Sequence, residues 1–430
     1  MGKQPATLRT PVPSSWTVPL AYVSVTLIVG MGLPRVEHHL LPDFNSTMST
    51  ASAMAILSSI ASGMITMTGI VFSLAFVMTQ FSATAYSPRL VLWVARDPVL
   101  SHALGVFSST FIYALIYLAW VDREGSGRVP YLSMDLVFLL MLASVAMFIA
   151  LIERIGLLQV NRMLSFTASR GRAAIEDLYG RAEAPPKSEA SPFTSLRVSQ
   201  TLTHTGPPQV VQVVYVEQLL KLAAEAGAVI EMVIAAGDTV LSGTLLLRVH
   251  GAERDIKFEV LRKCIATGAE RTFEQDPKYA LRLLVDIAIK ALSPAINDPT
   301  TAVQALDQIE DLLIRLGQCQ LDIGRYHDEK GALRVVAPFP DWEDFLLLAL
   351  DEVRYCGSHS VQVMRRMKAL IKNLLVVLPA ERHAALQHWE ERLQSTIARS
   401  FADLEEKQSA SEADRQGLGL GDTQTTTSSA

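Results

Sequence analysis

The sequence predicts an α-helical membrane protein with four transmembrane helices, followed by a cytoplasmic α+β domain in which a small β-rich unit precedes a helical bundle. Three observations predict it. Residues 44–88 carry no charged side chain at all. Four apolar runs, each near the roughly 20 residues needed to cross a bilayer, lie between residues 16 and 152. Beyond them the composition is that of a soluble chain. Averaged over its length the protein is 50% hydrophobic and 19% charged, against about 25% charged in ordinary soluble proteins.

The first span is read as 16–33, with Pro34 as its stop and no small-x-small cleavage site after it, hence a retained anchor. The second is read as 51–80, about 45 Å if fully helical, so it tilts or projects beyond a hydrocarbon core of about 30 Å. Asp97-Pro98 opens the third, 99–121, because Asp accepts orphan amide bonds and Pro suits a first turn. The fourth is read as 131–152, closed by Glu153 and Arg154. His102 and Asp135 sit near span ends, as interfacial groups do.

The second span carries a pattern of its own. Ser52, Ser59, Thr66, Ser73 and Gln80 are seven residues apart, and Ala55, Ser62 and Gly69 fill the position three after the first three of them. Seven residues are close to two helical turns, so these side chains form one stripe on an otherwise apolar helix. In lipid such a stripe admits the close approach of another helix or faces water. Both readings stay open: a packing interface, or a pore-lining face with Arg89 at its mouth.

Charges orient the set. Lys3, Arg9, Arg89, Arg96, Arg154, Arg162, Arg170 and Arg172 fall on one side, and only Arg35, Arg123 and Arg128 on the other, diluted by four carboxylates. The positive-inside rule then puts the N-terminal residues 1–15 and everything after residue 155 in the cytoplasm of a cell with an inner membrane.

In the second half, residues 156–195 read as a connecting helix and a Pro-rich linker. Residues 196–250 form the β-rich unit, with strands at 196–203, 210–216 and 228–235 around a helix at 217–226. GDTVLSGTLLLRV (237–249) resembles half of a barrel-sandwich hammerhead, in shape only. The helical domain covers 251–408, with helices expected at 256–267, 277–292, 299–317, 341–355, 360–378 and 380–408 and a hairpin at 325–337. The Ser/Thr/Gly/Gln-rich tail, 409–430, is expected to be disordered.

Composition narrows the function. A net charge of −5 and the lack of a basic block offer no footprint for nucleic acid. Cys264, Cys319 and Cys356 have neither metal-ligand nor redox spacing, and the histidines are dispersed. Asp307, Glu310 and Asp311 read as the solvated face of a helix. No nucleophile–base grouping, phosphate loop or HExxH is present, so neither an enzyme nor a cofactor is expected.

Two clusters remain. Arg282, Asp286 and Lys290 are four apart on a very apolar helix, an ion ladder or a ligand-facing group. After it the chain reverses within six residues, gathering Ser293, Asn297 and Asp298, with Thr300 and Thr301 in the next first turn, where amides would hold an anion. Alone, this is a helix–helix corner or a site. SPAINDP (293–299), with RTFEQDPKYALRLLVDIAIKAL (271–292) before it and GIVFSLAFVMTQFSATAYSPRL (69–90) in the second span, closely resembles a bacterial family of predicted membrane proteins classed as a domain of unknown function. The resemblance implies four N-terminal spans and a cytoplasmic C-terminal domain, over roughly residues 15–405, and brings no substrate. Two functions follow as expectations: an oligomeric channel or pore-like protein with a cytoplasmic gating or sensing domain, or a membrane-anchored regulator that binds a partner or small ligand through that domain. The bilayer and further copies of the chain are the expected partners.

Overall fold

The computed structural model describes residues 17–40, 48–85, 98–121, 129–155, 160–180 and 196–419. The chain divides into two compact units at residue 159.

The first unit holds four helices long and apolar enough to cross a membrane: α1 (Thr17–Leu40), α2 (Thr50–Ala85), α3 (Pro98–Leu118) and α4 (Tyr131–Ile155). Helix α3 packs against each of the other three. Its Phe107, Tyr113, Ala114 and Tyr117 are almost fully enclosed with Leu57, Val71 and Val137. Buried polar groups inside this unit are few; some are matched, while the Ser109 and Tyr113 hydroxyls have no hydrogen-bond partner among the described residues. Thr110 meets Ser144 of α4 at 2.9 Å, and the Tyr22 hydroxyl lies 3.2 Å from His102 Nδ1, so His102 ties α1 to α3. Gly105 lets the Tyr22 ring come close to α3, since a Cβ there would stand 2.7 Å from it.

Helix α1 does not stop at Pro34 but continues for six residues. Proline removes one backbone bond, a loss that membrane helices tolerate where neighbours re-satisfy the freed groups. One turn later Glu37 is anchored by α4, which holds the segment helical. Helix α2 extends the expected span at both ends and would measure about 54 Å.

The second unit begins with α5 (Val160–Tyr179). Rather than merely connecting, α5 packs on two later helices, α8 (Pro277–Ala291) and α9 (Pro299–Gln318). Gly171 permits this contact, because a Cβ would stand 2.8 Å from Ala280 and 2.9 Å from Leu312. Two sheets follow. In the larger, β1 (Val198–Thr203), β5 (Leu245–His250), β3 (Val229–Met232), β8 (Leu333–Val336) and β7 (Arg325–His327) lie side by side. All its pairs are antiparallel except β3 with β8. The smaller sheet sets β2 (Gln209–Val214) between β4 (Thr239–Val240) and β6 (Ile265–Gly268). Helix α6 (Val216–Glu225) and the short α7 (Phe258–Lys263) complete this part. Leu202, Val211, Leu219, Ile230, Val240, Leu247 and Val335 share its core.

Three expectations change here. The strands draw on residues outside 196–250: the hairpin β7–β8 completes the larger sheet, and β6 completes the smaller. The helix expected at 256–267 ends at Lys263, because the Ile265–Gly268 backbone pairs with β2 and ladder bonds override a weak helical preference. The segment 239–249 splits between the two sheets, β4 in one and β5 in the other.

The helical part surrounds α8, whose Tyr279, Leu281, Leu283, Leu284, Val285 and Ile287 are enclosed by α5, α9 and α10 (Trp342–Cys356). Burying each such aliphatic side chain contributes about 1.5–3 kcal/mol before chain entropy is set against it. Helix α11 (Val361–Val377) follows, and then the single helix expected at 380–408 divides into α12 (His383–Ser400) and α13 (Leu404–Ser411). Phe401 turns inward, and Asp403 caps the new helix through the amides of Glu405 and Glu406. Order continues beyond Ser409. Arg365 of α11 donates to the Ser409 carbonyl at 2.6 Å, and Ala410 and Asp414 are buried. Residues 420–430 lie outside the described residues.

Candidate functional site

The second-span stripe falls on the open side of α2. Ser52, Ser59, Ser62, Thr66, Gly69 and Ser73 are all exposed, whereas Ala53, Leu57, Ile60, Ala61, Met64 and Val71 are turned into the unit. A Cβ at Gly63 or Gly69 would meet nothing within 4 Å. Two of the hydroxyls bond locally: Thr66 donates to the Ser62 carbonyl at 3.0 Å, and the Ser52 hydroxyl accepts from Ser49 at 2.9 Å. The Gln80 side chain and Arg89 lie outside the described residues.

The corner between α8 and α9 is tight. The amides of Ile296 and Asn297 donate to the Ser293 carbonyl at 3.0 and 2.8 Å, and that of Asp298 to the Ala291 carbonyl at 2.8 Å. Asn297 takes a positive φ of 49°, a conformation Asn adopts more readily than most residues. Asp298 caps α9, accepting from the Thr301 amide at 3.1 Å and its hydroxyl at 2.6 Å. The carboxylate thus occupies the Thr301 amide that an anion would need. Thr300 is exposed.

The Arg282–Asp286 end of the ladder stands apart from this turn, whereas the Lys290 carbonyl accepts from the Ser293 amide at 3.1 Å. Arg282 to Ser293 is eleven residues, about 16 Å along a helix axis. Arg282 holds Asp286 at 2.7 Å and grips Glu352 of α10 with two nitrogens, one at 2.9 Å. The Glu352 bonds, outweighing burial, raise the guanidinium further above its ordinary value and hold the Glu352 carboxyl below its own. Lys290 is half-buried, which lowers its ammonium. The structure joins Ser293, Asn297 and Asp298 in one turn and Arg282 with Asp286 in another group. It does not merge the two.

Three features escaped the sequence reading. Glu37, 2% exposed, reaches from α1 to the first turn of α4. Its carboxylate accepts from the Leu132 amide at 2.7 Å, the Ser133 amide at 3.1 Å and the Ser133 hydroxyl at 2.7 Å. The sequence signal was only an acidic residue after the first span, with Pro130 before α4 offering no side-chain acceptor. Second, Asp307, Glu310 and Asp311 do more than face water: Asp307 stays exposed and Glu310 and Asp311 are half-buried, yet each is ion-paired. Arg366, 4% exposed, donates to Asp307 at 2.8 Å and to Glu310, and Arg172 of α5 meets Asp311 at 2.9 Å. Partial burial, against the pull of Arg366, leaves the Asp307 carboxyl raised.

Third, an open cleft of about 410 Å³ lies between the segment after β8 and the start of α10. Asp322, Asp341, Glu343 and Glu381 line it beside Phe339 and Trp342. Arg382, whose guanidinium sits 5.6 Å from the Trp342 ring centre, donates to the carbonyls of Gly317 and Cys319. Among the described residues no group of three or more His, Cys, Asp or Glu is placed to hold a metal.

A family model described as "Predicted membrane protein (DUF2254)" matches residues 13–373. The chain belongs to this family. The match takes in the four apolar helices, both sheets and most of α11, while α12 and α13 fall beyond it. Among curated proteins, an uncharacterized protein of Mycobacterium bovis and two from strains of Mycobacterium tuberculosis are each 26% identical over 403 residues, covering 90% of this chain and 77% of the relative. No solved structure matches. Family membership makes the first unit a membrane domain.

Proposed function

We propose that the protein is an oligomeric channel or pore-like protein of the inner membrane, with α2 on or beside the central axis and the second unit acting in the cytoplasm as a gate or sensor. One observation supports this reading above the others. The hydroxyl- and glycine-bearing positions of α2 are turned away from the described helices, together with Ile65, Ile70, Phe72, Phe76 and Val77, while Leu57, Ile60, Met64 and Val71 are turned in. A stripe that served packing within one chain would be covered by that chain. Left open, it suits contact with copies of itself or with water.

The test is symmetric crosslinking together with flux. Single cysteines at Ser59, Thr66 and Ser73 are expected to crosslink between copies in detergent and in membranes, and vesicles holding the purified protein are expected to leak ions or small solutes. Gly69→Leu should disturb assembly far more than Leu74→Ala. A monodisperse monomer that passes nothing would end this reading and leave the alternative, a membrane-anchored regulator binding a partner or small ligand. The exposed turn 294–297 at the α8–α9 corner favours that alternative.

A further inference from the structure

Helix α5 follows the fourth span after four residues, and its two faces differ in kind. One face, with Met163, Leu164, Ala168, Gly171, Ala174 and Ile175, is buried against α8 and α9. The other carries Arg162, Phe166 and Arg170, spaced four apart, with Ser165 and Ser169 between them, all exposed. The Arg170 guanidinium lies over the Phe166 ring at 5.5 Å. No carboxylate occurs in α5 before Glu176 and Asp177 in its last turn. Arg172, at the edge of this face, is committed to Asp311 and Ser169, whereas Arg162 and Arg170 make no ion pair among the described residues.

We propose that this outer face of α5 docks on the anionic headgroup surface of the bilayer from which the chain has just emerged. Five peptide links join Ile155 to Val160, so the first turn of α5 starts no more than about 19 Å from the end of the fourth span. Two guanidiniums about 12 Å apart along the axis, with an aromatic ring between them, match a surface of lipid phosphates, and the acidic end comes last along the chain. Basic segments next to a span are drawn to anionic lipid by about 1 kcal/mol per side chain, roughly fivefold each in the ratio of docked to undocked forms.

The test uses the full chain in nanodiscs of phosphatidylcholine alone or with phosphatidylglycerol. A nitroxide is placed at Ser165→Cys or, as reference, at Glu176→Cys, with Cys319 and Cys356 replaced by Ser. In discs with phosphatidylglycerol the label at 165 should lose access to a water-soluble relaxation agent, and the label at 176 should not. Arg162→Gln with Arg170→Gln should lower the docked ratio roughly 25-fold, high salt should weaken it, and Arg162→Lys with Arg170→Lys should keep it. Equal water access at 165 in both kinds of disc, or protection unchanged by the Gln pair, would overturn the proposal. Discs present both leaflets alike, so a C-terminal reporter found outside the cell would sink the cytoplasmic assignment above and leave this contact standing.

Discussion

Helices α4 and α9 begin with the same deficit and answer it differently. Each opens with amides that have no partner in the helix. Helix α9 uses its own N-cap, Asp298, three residues from the amide it binds, and α10, α11 and α13 likewise start from Asp341, Ser360 and Asp403. Helix α4 starts after Pro130 and takes its acceptor from Glu37, 95 residues earlier in the chain. A soluble helix end can fall back on water. An end enclosed by a membrane unit cannot, so a carboxylate from a neighbouring helix does two things there, capping α4 and pinning it to α1.

The comparison breaks most readily at Glu37. Replacing it by Ala leaves two amides and a hydroxyl enclosed without acceptors, a loss of about 3 kcal/mol for charge-assisted bonds, read as hydrogen exchange at Leu132 and Ser133 accelerated by about two orders of magnitude. Exchange no faster than in wild type would mean that α4 does not depend on α1. Gly171→Val should come next. It drives a side chain into Ala280 and Leu312, and overpacking of this kind costs about 2 kcal/mol, seen as earlier thermal release of α5 with the sheets intact. Asp298→Ala should cost about 1 kcal/mol, the usual worth of a local cap, with faster exchange confined to Thr301 and its neighbours. A loss equal to that of Glu37→Ala would erase the distinction between the two kinds of cap.

The smallest effect concerns pH. Burial pushes the Glu231 carboxyl up, but hydrogen bonds from His250 and Arg248, at 3.0 and 3.1 Å, outweigh it and leave its pKa lowered. Stability from such a group is present above the unfolded pKa, about 4.3 for Glu, and is lost as pH falls through the lower folded value. Glu231→Gln should therefore flatten the acid limb of a stability–pH curve for the second unit. An unchanged limb would place the acid sensitivity elsewhere.

What could be read in advance was local. Apolar run length exposed all four spans, because a bilayer demands a minimum length and the chain meets it four times. Acid-Pro pairs located the starts of α8 and α9, and the 3.6-residue pattern located α10 and α11. Ser293, Asn297 and Asp298 lie in one turn because six residues leave the chain no room to separate them. Missed features share one trait, a partner far along the chain: Glu37 with Ser133, Arg366 with Asp307 and Glu310, β8 beside β3, and β6 beside β2. Charged residues at helical spacing look the same whether they face water or a buried arginine.

The sequence by itself determined that this is a membrane protein with four apolar helices followed by a soluble α+β unit, because hydropathy and capping are properties of neighbouring residues. Only the tertiary structure decided which face of α2 stays open, that α5 packs on α8 and α9 within the second unit, and which carboxylates are enclosed. Those outcomes depend on what each surface meets across space, and spacing along a single chain carries no record of it.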